Sequence, residues 1–219
     1  MQLTTQRLVL TRLKPEDWQL FLQVHTDETC MEFISAVPQL ADIRQRFQDR
    51  LAPWQVTSFH MLCLVIRRKE DNQAIGMMGA NPEWAPHRQV EVGYSLLSDY
   101  FGQGYGSEAL GALCDFLLAH CEFHKLKAQV VEGNIASRRV LEKNGFVLEG
   151  TLRDNFILPL DRLQNCTLWS FLDHYGGQRR SDGPGAYVNQ RLLWLTIIPL
   201  AVFPVSNVFP PMYSISLPN

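Results

Sequence analysis

Tyr100-Phe101-Gly102-Gln103-Gly104-Tyr105-Gly106-Ser107-Glu108 stands between an alternating apolar segment and a run with helical apolar spacing, and its reading decides the fold. Glycine at 102, 104 and 106 opens backbone angles closed to other residues, so successive main-chain N–H groups can converge on one point. At the mouth of a helix those donors meet the positive end of the helix dipole, an arrangement that grips a diphosphate. For the glycines alone, a flexible strand-to-helix turn is the competing explanation. What flanks the turn decides between them.

Upstream, Gln89 to Leu97 alternates Val90, Val92, Tyr94 and Leu96 with Gln89, Glu91, Gly93 and Ser95, the period of a strand whose faces differ in polarity. Downstream, Gly104 to His120 sets Ala109, Leu110, Leu113, Cys114, Leu117 and Leu118 on one side of a helix. Lys127 to Glu132 reads as a strand. A short helix from Ala136 to Lys143 stops at Asn144 and Gly145, which tolerate the left-handed cap, and Phe146 to Leu148 and Cys166 to Leu172 read as further strands.

Toward the N-terminus, Arg7 to Leu13 reads as a strand and Pro15 opens a helix through Trp18, Phe21, Leu22, Val24 and His25. Ala41 to Leu51 aligns Ile43, Phe47 and Leu51 on one helical stripe. His60 to Arg67 and Ala74 to Ala80 form an antiparallel hairpin, with a loop around Pro82 to Pro86 before the next strand. The order predicts an α/β fold with a mixed, mostly antiparallel sheet, flanking helices and one parallel crossover between Gln89 and Glu132.

A chain of 219 residues is long enough to bury its own core without a metal or disulfide staple. Formal charge is −2 and the pI near 6.3, with basic residues scattered, so nothing suggests a nucleic-acid partner. An anion must be held locally, by main chain rather than by a basic cluster. Cys30, Cys63, Cys114, Cys121 and Cys166 are odd in number and lack metal-ligand spacing, and no secretory leader follows Met1, so a cytoplasmic location and no metal are expected. Cys114 and Cys121 read as small buried hydrophobes.

A second segment, Asn134-Ile135-Ala136-Ser137-Arg138-Arg139-Val140-Leu141-Glu142-Lys143-Asn144-Gly145-Phe146, follows the next parallel strand directly. Together the two segments resemble the GNAT superfamily of N-acyltransferases, and within it the ribosomal-protein N-terminal acetyltransferase (RimJ/RimL-like) branch. Thr5-Gln6-Arg7-Leu8-Val9-Leu10, Glu91-Val92-Gly93-Tyr94-Ser95-Leu96 and Glu149-Gly150-Thr151-Leu152-Arg153 extend the likeness over about residues 3 to 172. The resemblance implies that the Gln89 and Lys127 strands splay apart around acetyl-CoA, the co-substrate. It implies that the main chain near Leu96 and Leu97 pairs with the pantetheine arm, while Gly102, Gln103, Gly104, Tyr105, Gly106 and Ser107 hold the pyrophosphate. Asn134 would face the pantetheine and Ser137 the thiol end, although Asn134 also reads as a helix cap, and the two roles are compatible.

Chemistry in this family is direct attack of a neutral amine on the thioester, within a ternary complex and without a covalent enzyme intermediate. Glu91 falls within one residue of the general base of the histone-acetylating branch, its alternative being a plain strand carboxylate. Phe101 stands at the first position of the family's Arg/Gln-x-x-Gly-x-Gly/Ala signature and contributes no donor. Leu141 replaces the tyrosine that commonly protonates the leaving thiolate, and the Rim-like resemblance offers Ser137 in its place, against a plain polar residue in a helix turn. The acceptor is a primary amine, a ribosomal-protein N-terminus or a small amine; Trp54, Trp84 and Phe33 are candidates to line its pocket or to pack the core. Asp154 to Asn165 departs from close relatives, with Pro159 and Leu160 in place of an Asn-Gly turn.

Residues 1–175 are expected to form the catalytic domain and 176–219 an appended extension, because Gly176, Gly177 and Asp182-Gly183-Pro184-Gly185 resemble a linker. Leu192 to Phe203 is apolar, but prolines interrupt any span long enough to cross a bilayer. The extension is expected to pack on the domain or on a partner subunit of a homodimer, or to be poorly ordered, rather than to anchor in a membrane. Two rival functions remain. A dinucleotide-binding oxidoreductase fits poorly, since Gly102, Gly104 and Gly106 do not make GxGxxG; a non-catalytic acyl-CoA-binding sensor or interaction module is the alternative that Phe101 and Leu141 suggest.

Overall fold

The computed structural model describes residues 1–158 and 162–172. In chain order these form β1 (Gln2–Thr4), β2 (Leu8–Arg12), a 3-10 turn at Pro15–Asp17, α1 (Trp18–Thr26), α2 (Glu28–Met31), α3 (Leu40–Leu51), β3 (Leu62–Arg68), β4 (Ala74–Glu83) and β5 (Gln89–Leu96). A 3-10 turn at Ser98–Tyr100 leads to α4 (Tyr105–Ala119), β6 (Lys125–Val131), α5 (Ile135–Lys143), β7 (Val147–Leu158) and β8 (Arg162–Leu172). The strands make one sheet in the order β1-β2-β3-β4-β5-β6-β8-β7. Among the described strands only β5 and β6 pair in parallel; the mixed, mostly antiparallel α/β architecture expected from the sequence is the one observed.

Strand alternation sorts side chains to the two faces of this sheet. Cys63, Val65, Met77 and Leu97 pack with Leu13, Phe21, Val24, Ile43 and Phe47 under α1 and α3. On the other face Leu64, Ile66, Met78, Val90 and Val92 meet Ala109, Leu110, Leu113 and Leu117 of α4. Each fully buried leucine contributes about 1.5–3 kcal/mol relative to exposure. Helix α4, YGSEALGALCDFLLA, has no β-branched residue, so it loses little rotamer freedom on folding. The buried Asp17 is matched by the Arg67 guanidinium and by the Lys14 amide at 3.0 Å, which compensates its desolvation.

Several elements exceed what periodicity showed. β1 is three residues long, too short to display a period, and α2 is a single turn whose start Asp27 caps by accepting from the Thr29 and Cys30 amides at 2.8 and 3.1 Å. β4 continues through Pro82, expected in a loop, because its ladder with β3 ends at Ala80 and Pro82 needs no N–H on that side. β7 lies at the sheet edge with Val147, Leu148 and Ile157 exposed, so neither face imposes alternation. The stretch from Asp154 to Asn165 therefore belongs largely to β7 and β8; Pro159 and Leu160, and every expectation for residues 176–219, lie outside the described residues. Among the described residues no helix is long and apolar enough to cross a membrane.

Candidate active site

The parallel ladder between β5 and β6 consists of Gln89↔Lys125, Val90↔Leu126 and Glu91↔Lys127. Beyond Glu91 the two strands run on without pairing, β5 to Leu96 and β6 to Val131, so a slot opens at that rung. The Leu97 amide donates to the Ile75 carbonyl at 2.9 Å; alternation along an antiparallel strand then aims the main chain of Leu96 away from β4, toward the slot. Leu97 is placed differently. Its carbonyl also accepts from the Tyr100 amide at 2.9 Å, so its N–H and one carbonyl lone pair are engaged within the protein.

The glycine turn lies at the mouth of this slot. Gly102 and Gly104 adopt φ of 73° and 82°, and Gly104 stands at the N-cap of α4 without a side-chain cap. Phe101 donates its amide to Ser98, and the next main-chain donor is Glu108, whose amide reaches the Gly104 carbonyl at 3.1 Å. Among the described residues, none of the amides from Gly102 through Ser107 has a protein acceptor. Gly106 sits close to both walls, a Cβ there falling 3.5 Å from Val140 Cγ2 and 3.6 Å from Leu96 Cδ1. Gln103 steadies the turn by donating from Nε2 to the Asp99 carbonyl at 2.9 Å, and the Tyr105 side chain is buried, leaving only its amide to the site.

Cations do stand beside the turn: Arg68 lies over the Tyr100 ring at 5.2 Å, and Arg7 is closer to the glycines. Arg7 lies over the Tyr105 ring at 4.5 Å, donates from Nη1 to the Gln103 carbonyl at 3.1 Å, and pairs through Nε with Glu108 Oε2 at 2.6 Å. Glu108 also accepts from Thr5 Oγ1 at 2.6 Å and the Arg7 amide at 2.8 Å. Partial burial pushes this carboxyl up, but the bonds from Thr5 and Arg7 outweigh it and hold it below the usual glutamate range. The negative charge in the first turn of α4 is thus neutralised before any anion arrives.

On the far wall, Asn134 caps α5 by accepting the Ser137 amide on Oδ1 at 3.0 Å, which confirms the capping role and leaves its Nδ2 for a ligand. Asn144 fastens the two segments together: its Nδ2 donates to the Ser107 carbonyl at 3.1 Å and the Val140 carbonyl at 2.8 Å. The Tyr94 hydroxyl reaches from β5 to α5, 2.9 Å from Ser137 Oγ and 3.1 Å from the Ser137 carbonyl. Burial pushes the Tyr94 phenol up to about 12, against the opposing effect of its bond to Ser137. Leu141 is fully buried in the apolar cluster, so no hydroxyl acts from that position.

Glu91 occupies the last paired rung, where the strands part, with Asn81 on one side and Lys127 on the other. Desolvation raises its carboxyl above the ordinary value; Lys127 opposes this and Glu83 adds to it. The Lys127 ammonium is held 2.6 Å from Glu83 Oε2, which blunts its pull on Glu91. Glu91 and Tyr94 are three residues apart on one strand and face opposite sides of the sheet. A carboxyl on one face and a phenol on the other therefore flank the slot.

Residues 7–147 match the model of the acetyltransferase (GNAT) domain family. The chain belongs to this family. Membership brings the class of reaction, acetyl-CoA-dependent N-acetyl transfer. The uncharacterized N-acetyltransferase p20 of Bacillus licheniformis is 28% identical over 157 residues, 69% of this chain and 85% of that protein. The ribosomal-protein-serine acetyltransferase of Escherichia coli strain K12 is 34% identical over 85 residues, 39% of this chain and 47% of its own length, which supports the RimJ/RimL-like branch. Spermidine N-acetyltransferase from Vibrio cholerae, solved with CoA and spermine, superposes with a TM-score of 0.67 at 18% identity over 76% of this chain and 96% of that one, a likeness of fold.

The GNAT frame also sorts the remaining side chains. Trp84 packs edge-on against Phe123 at 5.3 Å, at the paired end of the slot, and is half-buried against the apolar cluster. Trp54 is half-buried on the same apolar cluster, whereas Phe33 lies within reach of Gly133, just before α5. All five cysteines are free and buried, and burial pushes their thiols up, so none is a ready nucleophile. Among the described residues no cluster of His, Cys, Asp and Glu could hold a metal ion. Arg7, Tyr94 and Asn144 are the site residues that sequence reasoning missed. Each lay inside a quoted motif, but only the fold shows what each touches.

Proposed function

We propose that this chain binds acetyl-CoA with the diphosphate on the amides of Gly102 through Ser107 and transfers the acetyl group to a primary amine by direct attack in a ternary complex. The observation that carries this reading is the set of amides left without protein acceptors at the mouth of a slot between two parting parallel strands. Donors fixed by the fold need no reorganisation to meet an anion. Leu96 offers its main chain, and Asn134 its Nδ2, to the pantetheine arm.

Glu91 accepts the proton that the amine loses on attack. Its raised carboxyl lies nearer to neutrality than an exposed glutamate and so makes a better general base. Ser137, at the start of α5, faces the leaving sulfur as hydrogen-bond donor. The acceptor is a protein N-terminus, as the name of the Escherichia coli relative states for that enzyme, or a small amine such as the one named for the Vibrio cholerae protein. Residues 1–175 supply every group in this scheme and act in the cytoplasm.

Thermal melting with acetyl-CoA and with NADH tests the cofactor. Acetyl-CoA at a hundred times its Kd is expected to add about 2.7 kcal/mol, roughly 5–10 °C for a domain of this size, and NADH nothing. Thiol release from acetyl-CoA, with spermidine and a serine-starting peptide as acceptors, then tests turnover. A shift with NADH alone would overturn the reading; binding of acetyl-CoA without thiol release would leave an acyl-CoA-binding module.

A further inference from the structure

The proposed use of Ser137 leaves a difficulty. A serine hydroxyl has one proton, and in this fold a second hydroxyl competes for it. Tyr94 Oη lies 2.9 Å from Ser137 Oγ and 3.1 Å from the Ser137 carbonyl, so the phenol has two acceptors and one proton to give. When Tyr94 donates to the carbonyl, its oxygen accepts the serine proton and Ser137 is turned away from the slot. When Tyr94 donates to Oγ, the serine proton is released toward the slot.

We infer that Tyr94 is a positioning residue, which by shifting its donated proton from the Ser137 carbonyl to Ser137 Oγ frees the serine O–H to meet the leaving sulfur. The inference rests on Ser137 being the donor of the proposed function. Two features of the fold support it. Asn134 fixes the Ser137 amide at 3.0 Å, so the serine backbone cannot drift from the phenol. Leu141, one turn further along α5, is aliphatic and buried, which leaves the Tyr94–Ser137 pair to serve the sulfur from this wall. The phenol is raised to about 12 and stays protonated, hence a donor, throughout neutral pH.

The amine nitrogen bonds to the acetyl carbon and loses its proton to the Glu91 carboxylate. The carbon–sulfur bond breaks with its electron pair on sulfur, where the Ser137 O–H stabilises the charge. The thiolate takes a proton from water, and Glu91 returns its proton to water. Tyr94 keeps its own proton throughout, moving only between two acceptors.

Thiol release is measured for Ser137→Ala, Tyr94→Phe and the double variant, with whichever of spermidine and the serine-starting peptide is acetylated, and each variant is melted to check its fold. Tyr94→Phe is expected to lower kcat about five- to tenfold, the worth of one hydrogen bond at the transition state, with KM for acetyl-CoA within about twofold. In the Ser137→Ala background the same substitution is expected to change nothing. Equal losses from Tyr94→Phe in both backgrounds would overturn the inference and mark Tyr94 as packing alone. Should Ser137→Ala lower kcat while Tyr94→Phe does not, Tyr94 falls and Ser137 stands; should Ser137→Ala have no effect, the donor role of Ser137 fails and Tyr94 with it. If Tyr94→Phe melts early, all variants are assayed below its melting temperature at equal folded fraction and the same comparison decides: a loss confined to the Ser137 background is expected, and equal losses in both backgrounds contradict the pairing.

Discussion

Gly104→Ala separates the fold's need for this glycine from the ligand's. Gly104 sits at φ 82° and ψ 0°, a conformation that costs a residue with a side chain about 1–2 kcal/mol. The added Cβ would lie 3.5 Å from Arg7 Nη2, an ordinary contact, so the cost is backbone strain and not collision. At 2–4 °C per kcal/mol for a domain of this size, the melting temperature should fall by about 2–8 °C. A turn that relaxes its strain rotates the peptides that follow, and with them the Tyr105, Gly106 and Ser107 amides. Losing one or two charge-assisted hydrogen bonds, at about 1.5–3 kcal/mol each, weakens acetyl-CoA binding by at least about tenfold, as calorimetry would read it. Gly150→Ala, where a Cβ meets nothing within 4 Å and φ is not positive, should leave binding unchanged. A Gly104→Ala protein that melts early but binds acetyl-CoA within twofold of the parent would refute the idea that these amides hold the diphosphate.

Glu91→Gln should cut turnover about a hundredfold while leaving acetyl-CoA affinity intact. Because the Glu91 carboxyl is raised in the fold, kcat/KM of the parent should fall more steeply below that raised value than kcat/KM of the variant, in which only protonation of the acceptor amine remains. The same burial disfavours the ionised form, so the stability that neutral Glu91 supplies at low pH is lost as pH rises, and Glu91→Gln should melt higher than the parent at pH 7–8 but not at pH 4. Glu108 is the opposite case. Its carboxyl is held low, so Glu108→Gln should cost about 1–2 kcal/mol at pH 7, a deficit that shrinks as acid protonates the parent, measured by denaturant unfolding at both pH values. A chain ending at Tyr175 should stay folded and bind acetyl-CoA as the full chain does; failure to fold would place residues beyond 175 in the core.

What the sequence made legible follows from what it repeats. Val90, Val92, Tyr94 and Leu96 announce β5, and Ala109 through Leu118 announce α4, because both elements bury a face and so must show a period. β7 bears no such signature, since an edge strand exposed on both sides can be written in almost any residues. The slot was read from family likeness; its physical expression, a ladder that stops at Glu91↔Lys127, depends on pairing between distant segments. The same holds for Arg7, which reaches Glu108 and Gln103 across about a hundred residues, and for Tyr94 against Ser137. Leu96 and Leu97 could not be told apart for a related reason: which of two neighbouring residues turns its main chain to the slot is set by register with Ile75, and register is a property of the sheet.

Amide-resolved NMR of the nitrogen-15-labelled protein, titrated with acetyl-CoA, examines the diphosphate grip most directly. The main-chain signals of Gly102 through Ser107 should move furthest and move downfield, as donors do on meeting an anion, with Leu96 and Asn134 responding next. Saturable binding that leaves those signals in place and perturbs a different surface would contradict it.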